Sequence, residues 1–314
     1  MIRNLDNRIK IYTILFIALF ISFMALTSYS VFTKILTDDY IEKSVGIAKQ
    51  QSRNAVEAIK NIEETSRIII ADLNLDNPQY YKSHDSSYIG ALASYGTSSP
   101  YFTSFVVYRN KEILYYHIPL DNAVPGIRNI DYEQAVNIEF DQNGVGWNIA
   151  ESNFGKDDFL LLVRKIPFGE DFIYIIFQVD AQYISDYFMS KNEFANHTAV
   201  LLKTKNSEEL CRITNIPLNK KSSIVRSFEY VKNGEYTKNG KYSVLSKFSI
   251  QNTGFSFYIK DDISVLKDYT SSLALIYTLI FCATLILAYF AVSLFSKNIS
   301  SQFEKIRIKM QNYC

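Results

Sequence analysis

Two stretches of this 314-residue chain carry no charged side chain: Ile11–Thr33, 23 residues, and Tyr269–Ser296, 28 residues. Each exceeds the ~18–20 apolar residues that an α-helix needs to cross the hydrocarbon core of a bilayer. Lipid offers no partner for backbone N–H and C=O groups, so both stretches are predicted to be transmembrane helices. Whatever folds between them is then tethered to a membrane at both ends. A cleaved signal peptide is the competing reading of the first stretch. Signal peptides have apolar regions of about 7–15 residues that end in a small-x-small site. This run is longer, and Ala25-Leu26-Thr27 is a poor cleavage site. An uncleaved anchor is expected.

Charge orients the hairpin. Arg3, Arg8 and Lys10 precede the first stretch, opposed only by Asp6, and Lys297, Lys305, Arg307 and Lys309 follow the second, opposed only by Glu304. Short basic flanks stay in the cytoplasm, so residues 1–10 and 297–314 are predicted to be inside. The 235 residues Lys34–Asp268 are then outside. The flanks hold seven basic and two acidic residues, net +5, and the segment between the spans 26 basic and 30 acidic, net −4. The whole-chain net charge of +1 hides this segregation and disfavours a nucleic-acid partner. Of three cysteines only Cys211 lies between the spans, so one copy of that region forms no internal disulfide and must rest on a hydrophobic core. At 48% hydrophobic and 15% aromatic residues the chain is not disordered.

From the end of the first span, Ile41, Val45, Ala48, Ser52, Ala55, Ile59, Ile62, Ser66 and Ile69 recur at alternating steps of four and three for four heptads. That seam predicts one long helix to about Leu73 within a segment 34–76, roughly 45 Å for ~30 residues. Two uses of the seam are open: packing along its own domain, or pairing with the same helix of a second copy in a homodimer. Asn77-Pro78 is predicted to end the helix. Period-two runs follow. FTSFVVYRNKEILYYH reads as a hairpin around Arg109-Asn110-Lys111-Glu112. Gly146–Ala150, Asp158–Ile166 and Asp171–Val179 read as strands and Asp180–Met189 as a helix. The plan then recurs: strands His197–Lys203, Leu210–Ile213, Lys241–Ser249 and Gly254–Lys260, and a helix Asp262–Tyr269. At an offset of 82, Ile175, Phe177, Asp180, Ile184 and Tyr187 fall on Phe257, Ile259, Asp262, Leu266 and Tyr269. The shared pattern is alternating strand, Asp helix cap and apolar helix face.

This element order, the topology and the segment GWNIAESNFGKDDFLLLVRKI…DFIYIIFQVDAQYISDYF resemble the double Cache sensors of bacterial transmembrane receptors, most like those of Cache-bearing histidine kinases. The resemblance covers Lys34–Asp268. It implies an α+β fold with two transmembrane helices flanking a long N-terminal helix and two PAS-like antiparallel-sheet modules. The membrane-distal module is placed at 77–190 and the membrane-proximal one at 191–268, between spans 11–33 and 269–296. It also implies that the distal module holds a small-molecule site and the proximal one passes the signal to the second span. The Arg-x-Trp-Tyr motif of the amino-acid-sensing subgroup is absent: Trp147 is followed by Asn148, and no Arg stands two residues before it.

Catalytic signatures fail on spacing. Gly234 to Gly240-Lys241 puts five residues between the glycines where a P-loop needs four, and Tyr242 stands where Ser or Thr is required. Asp141-Gln142-Asn143-Gly144 imitates the opening of a calcium loop, but its twelfth position is Ser152, not Glu, so a plain turn is expected. His84, His117 and His197 have no metal-ligand spacing. Neither enzyme activity, metal nor cofactor is expected. A ligand pocket needs aromatic walls and a few polar groups. Tyr108, Tyr116, Trp147 and Arg164 are the candidates on the distal module: the aromatics as a wall, Arg164 as a bidentate clamp for carboxylate or phosphate. Each also fits a structural role, as strand aromatic, core or solvent-facing charge.

After the second span, Ile299, Phe303, Ile306 and Met310 continue a four-three-four spacing, so SKNISSQFEKIRIKM reads as an amphipathic helix resembling the first helix of a HAMP linker. A basic helix of this kind also fits an anionic inner leaflet. Within these 314 residues no kinase, cyclase or DNA-binding region is expected. The expectation is a plasma-membrane sensor input module that binds a small solute and relies on a kinase or other output partner. A membrane-anchored adaptor for a partner protein, with no solute site, is the alternative.

Overall fold

The structure, a computed structural model, describes residues 2–76, 100–117, 132–151, 158–189, 197–214, 226, 228–238, 240, 242–250 and 253–311. Two compact units emerge, one of Met1–Tyr40 with Ser264–Cys314 and one of Ile41–Ile263.

Helix α1 runs Ile2–Asp72. No proline interrupts it, and its stop is local. Asn74 takes a left-handed φ of 47°, and the Leu75 N–H reaches back to the Ile70 carbonyl at 3.0 Å. This satisfies a carbonyl that the helix end would leave bare. Asn77-Pro78, the predicted breaker, lies outside the described residues. Strands β1 (Phe102–Arg109) and β2 (Glu112–His117) form the expected hairpin, with Asn110 and Lys111 both at positive φ, the geometry that matches strand twist in a two-residue loop. Then come α2 (Tyr132–Val136), β3 (Val145–Glu151), β4 (Asp158–Phe168), β5 (Asp171–Val179) and α3 (Ala181–Ser185). The second module holds β6 (His197–Lys203), β7 (Leu210–Arg212), β8 (Tyr236–Lys238), β9 (Ser243–Ser249) and β10 (Ser256–Asp262), and α4 spans Val265–Gln311.

The repeat is carried by the topology. Both sheets are five-stranded and antiparallel, in the orders β2-β1-β5-β4-β3 and β7-β6-β10-β9-β8. Substituting each strand by the one five later converts the first order into the second. Ile175, Phe177, Phe257 and Ile259, matched at the offset of 82, are all buried in the same core cluster. The match fails at the caps. Asp180 does cap α3, accepting from the Gln182 N–H at 2.8 Å, but Asp262 is the last residue of β10, paired with Ser243, and α4 begins at Val265. The helix expected at Asp180–Met189 is only Ala181–Ser185, and the exposed strand β8 and the short α2 were not foreseen.

The four-three seam has one use here. Ala48, Ala55, Ile59, Ile62 and Ile69 share a core cluster with Phe105, Val107, Trp147, Leu162 and Phe177 of the first sheet and Val200, Leu202, Phe257 and Ile259 of the second. Full burial of each large apolar side chain contributes about 1.5–3 kcal/mol. The small residues Ser52 and Ser66 on the same face are also buried. The seam is filled within the chain, so the dimer reading of these residues does not hold; the residues between them, such as Lys49, Arg53, Glu57, Lys60 and Glu64, are exposed.

In the other unit, α1 and α4 are each long and apolar enough to cross a membrane. Their large side chains face outward, among them Leu15, Phe16, Leu19, Leu279, Leu287 and Phe290. Tyr29 and Tyr277 meet edge to face at 5.8 Å, and the Tyr29 hydroxyl donates to the Thr270 carbonyl at 3.3 Å. Ser22, Ala25 and Ala274 line a small cleft beside them.

Candidate functional site

The first sheet has two faces, and side chains alternate between them along each strand. The four residues singled out from the sequence divide two and two. Trp147 and Arg164 face α1; Tyr108 and Tyr116 face the other way, under α2.

On the α1 side the groups bond one another. The Trp147 indole N–H donates to the Glu63 carboxylate at 2.6 Å. Arg164 donates from Nε to Ser66 Oγ at 2.8 Å and from Nη2 to the Glu63 backbone carbonyl. The Trp147 ring also meets Phe255 of the second module edge to face at 5.2 Å, and Asn206 donates to the Trp147 and Glu139 carbonyls at 3.1 and 3.0 Å. The cluster therefore joins the long helix to the first sheet, and that sheet to the second module. Beside it lies a cleft of about 520 Å³ lined by Lys60, Glu64, Arg67, Asp141, Asn143 and Lys165 among others. Arg67 is paired with Glu64. Asp141 is occupied as a turn residue: its Oδ1 accepts from the N–H groups of Asn143 and Val145 at 2.9 and 2.7 Å. Among the described residues no group of His, Cys, Asp and Glu is placed to hold a metal.

Burial raises the Glu63 carboxyl above the ordinary carboxylate value of 4.5; the Trp147 N–H and the Arg164 charge offset this only in part. Burial lowers Arg164 from its usual value. A carboxyl raised in the fold contributes stability that is fully present below about pH 4.5 and is lost as pH rises through its folded value. Glu63→Gln keeps an acceptor for Trp147 and removes that loss. The melting temperature of the variant relative to wild type should therefore increase from pH 4 to pH 8, read by circular dichroism at several pH values. A difference constant with pH would contradict the assignment.

The opposite face is aromatic and uncharged at its centre. Tyr108 lies 4.9 Å from Tyr132, which meets Tyr174 at 6.0 Å, and Tyr174 meets Phe140 at 6.1 Å. Burial raises the hydroxyls of Tyr108 and Tyr132. On the same face, beyond Val106 and Ile176 from these rings, sit three buried side chains with amide or hydroxyl groups. Ser104 Oγ donates to Gln178 Oε1 at 2.8 Å, and Asn148 Nδ2 donates to the Gln134 carbonyl at 2.9 Å while its Oδ1 accepts from the Ile149 N–H. The Lys165 ammonium closes one end, stacked over Phe172 at 4.0 Å and Phe140 at 5.5 Å. Tyr116, opposite Val106 on the edge strand β2, is 42% exposed. Tyr132, Tyr174, Ser104, Asn148 and Gln178 were not among the sequence candidates. The readable signal was a polar side chain in phase with apolar ones within a strand, as Gln178 is with Tyr174 and Ile176.

The corresponding face of the second sheet is apolar at its centre, with Lys247 over the Tyr258 ring and the hydrogen-bonded pair Ser249 and Ser256 towards one end. Ala199, Leu201, Leu210 and Leu245 are buried there with Phe228 and Val231, and Tyr258 stacks on Phe228 at 5.2 Å. Buried amide side chains, Asn148 and Gln178, are thus a feature of the first module's outer face.

No protein-family model and no curated protein matches the sequence. Solved structures are similar. The extracellular domain vpHK1S-Z8, assigned to a histidine kinase, gives a TM-score of 0.48 at 12% identity over 73% of this chain and 98% of its own. The sensory domain of the Campylobacter jejuni chemoreceptor Tlp3 gives 0.46 at 11% identity over 75% and 98%, and has been solved with isoleucine bound. The ligand-binding domain of Mlp24, with asparagine, gives 0.42 at 14% identity over 78% and 99%. These neighbours are extracellular or ligand-binding sensory domains of receptors.

Proposed function

We propose that this chain is the sensing and transmembrane portion of a bacterial receptor of the double Cache kind, with both termini in the cytoplasm and Lys34–Asp268 outside. A small solute binds the outer face of the first sheet, in an aromatic wall of Tyr108, Tyr132 and Tyr174, with Ser104, Asn148 and Gln178 as its polar contacts. The observation that carries this reading is the contrast between the two faces just described: one copy of a duplicated sheet buries Ser104, Asn148 and Gln178 on the face that carries Tyr108 and Tyr174, the other packs Phe228 and Val231 on the centre of that face. Buried amides persist where they are bonded or where a ligand completes them. The output is a partner of the histidine-kinase type, and the receptor works as a homodimer through surfaces other than the filled α1 seam. Solute biases two packings of the modules and hence of the segment Asp262–Val265 that leads into α4; it must bind them unequally to transmit anything.

Thermal melting of the full chain in nanodiscs against a library of metabolites tests this. At least one solute should raise the melting temperature, since a ligand at 100 times its Kd adds about 2.7 kcal/mol. Gln178→Leu and Tyr108→Ala should remove the shift while leaving a cooperative transition. A cooperative protein that no solute stabilises, but that retains a specific partner protein, would favour a membrane-anchored adaptor instead.

A further inference from the structure

A second constellation lies in the other module, away from the aromatic face. His197, at the start of β6, has its side chain 2% exposed, and the Asp261 side chain on β10 is 0% exposed. Nδ1 of His197 meets Asp261 Oδ1, and Nε2 meets Gln51 Oε1. Ser44 Oγ donates to the other Asp261 oxygen at 2.8 Å. Ser44 and Gln51 are both on α1, and the four residues form one buried network between that helix and the last strand of the module. The Phe188 ring meets the imidazole edge on at 6.1 Å.

The chemistry of the ring makes this arrangement conditional. A neutral imidazole has one N–H donor and one lone-pair acceptor, so it can satisfy only one of two facing oxygens. The imidazolium donates to both. Asp261 supplies the charge bonded to it from β10, while α1 presents the uncharged Gln51 and Ser44. On losing the proton, the ring either keeps its bond to Asp261 and turns a lone pair on the Gln51 oxygen, or keeps Gln51 and turns a lone pair on the carboxylate. Gln51 must then rotate its amide or withdraw.

The geometry points to a proton-dependent latch: protonated His197 ties α1 at Gln51 to β10 at Asp261 by charge-assisted donation, and deprotonation removes that donation and weakens the tie. The proton is then a second input besides any solute, held on His197 against Asp261, one residue before the end of β10, whose successor in the chain is α4. The latch stands independently of where a solute binds.

The chain has three histidines, His84, His117 and His197, so imidazole nitrogen NMR on the full chain in nanodiscs can follow each ring from pH 5 to pH 9, with assignment by substituting the other two. His197 should show both nitrogens protonated in the acid range. When it loses a proton, amide hydrogen exchange of Ser44–Gln51, corrected for its intrinsic pH dependence, should rise by about tenfold or more, the size expected for loss of one charge-assisted hydrogen bond. Gln51→Glu, which retains the acceptor and adds charge, should move that rise to higher pH; Gln51→Leu should abolish it. A His197 ring that is singly protonated throughout would overturn the latch. So would a ring that titrates with no change in exchange at Ser44–Gln51.

Discussion

Replacing Trp147 by alanine is expected to destabilise the domain between the spans by about 3–5 kcal/mol, the range for removing a buried large aromatic. The effect is large because three attachments are lost together. The indole fills the core facing α1, donates to Glu63 at 2.6 Å and meets Phe255 of the second module at 5.2 Å. Trp147→Phe separates these contributions: it keeps most of the apolar volume and the contact with Phe255 but leaves the half-buried Glu63 carboxylate without that donor, which costs about 1–3 kcal/mol. The alanine variant should also melt less cooperatively, since the second module loses a contact that couples it to the first. Denaturant titration followed by far-ultraviolet circular dichroism checks both points. An alanine variant within about 1 kcal/mol of wild type would mean that the indole is not packed as described. Trp147 is the one tryptophan in the chain, so in the wild type its fluorescence reports on this junction alone.

Gly144→Ala is the second substitution expected to be severe, although the residue is only half-buried and lies in a turn. Gly144 has a φ of +69°, and a Cβ added there would lie 2.3 Å from the Lys165 carbonyl oxygen, a backbone atom that cannot swing aside. The left-handed conformation costs an L-residue about 1–2 kcal/mol, and relieving the overlap adds about 1–3 kcal/mol. Relief requires separating β3 from β4 at the point where the Lys165 N–H donates to the Gly144 carbonyl at 2.8 Å. The damage should reach Arg164, the neighbour of Lys165, and through it Ser66 on α1. A loss of about 2–5 kcal/mol in the same denaturant titration is the expected result. Asp141→Asn should cost less, because the amide oxygen still accepts from the Asn143 and Val145 N–H groups.

These two positions show what the sequence could and could not reveal. The turn at Asp141–Gly144 was legible because its chemistry is local: an Asx acceptor followed by a glycine. The hairpin at Asn110-Lys111 was legible for the same reason. The seam of α1 was legible as a periodicity, but periodicity reports that a face is apolar and not what covers it. Two sheets cover it, and the dimer alternative disappears only once their strands are in place. Arg164 and Ser66 are 98 positions apart, and Trp147 and Glu63 are 84 apart, so no local pattern announces either pair. Tyr108 was read as a wall residue without its companions, because Tyr174 reaches it through the pairing of β1 with β5 and Tyr132 through a short helix unsupported by any strong pattern. The repeat at an offset of 82 captured the cores of β5 and β10 and failed one step later. Asp180 ends its strand and caps a helix, whereas Asp262 remains paired with Ser243.

The central claim is that a small solute occupies the outer face of the first sheet and is read from there. Hydrogen exchange by mass spectrometry on the full chain in nanodiscs, with and without a stabilising solute, tests it most directly. The account predicts protection concentrated in β1, β5 and α2, the segments carrying Tyr108, Gln178 and Tyr132, with smaller changes at the Trp147–Glu63 junction. Protection centred instead on the cleft beside Lys60, Glu64 and Arg67, with β1 and β5 unchanged, would contradict it.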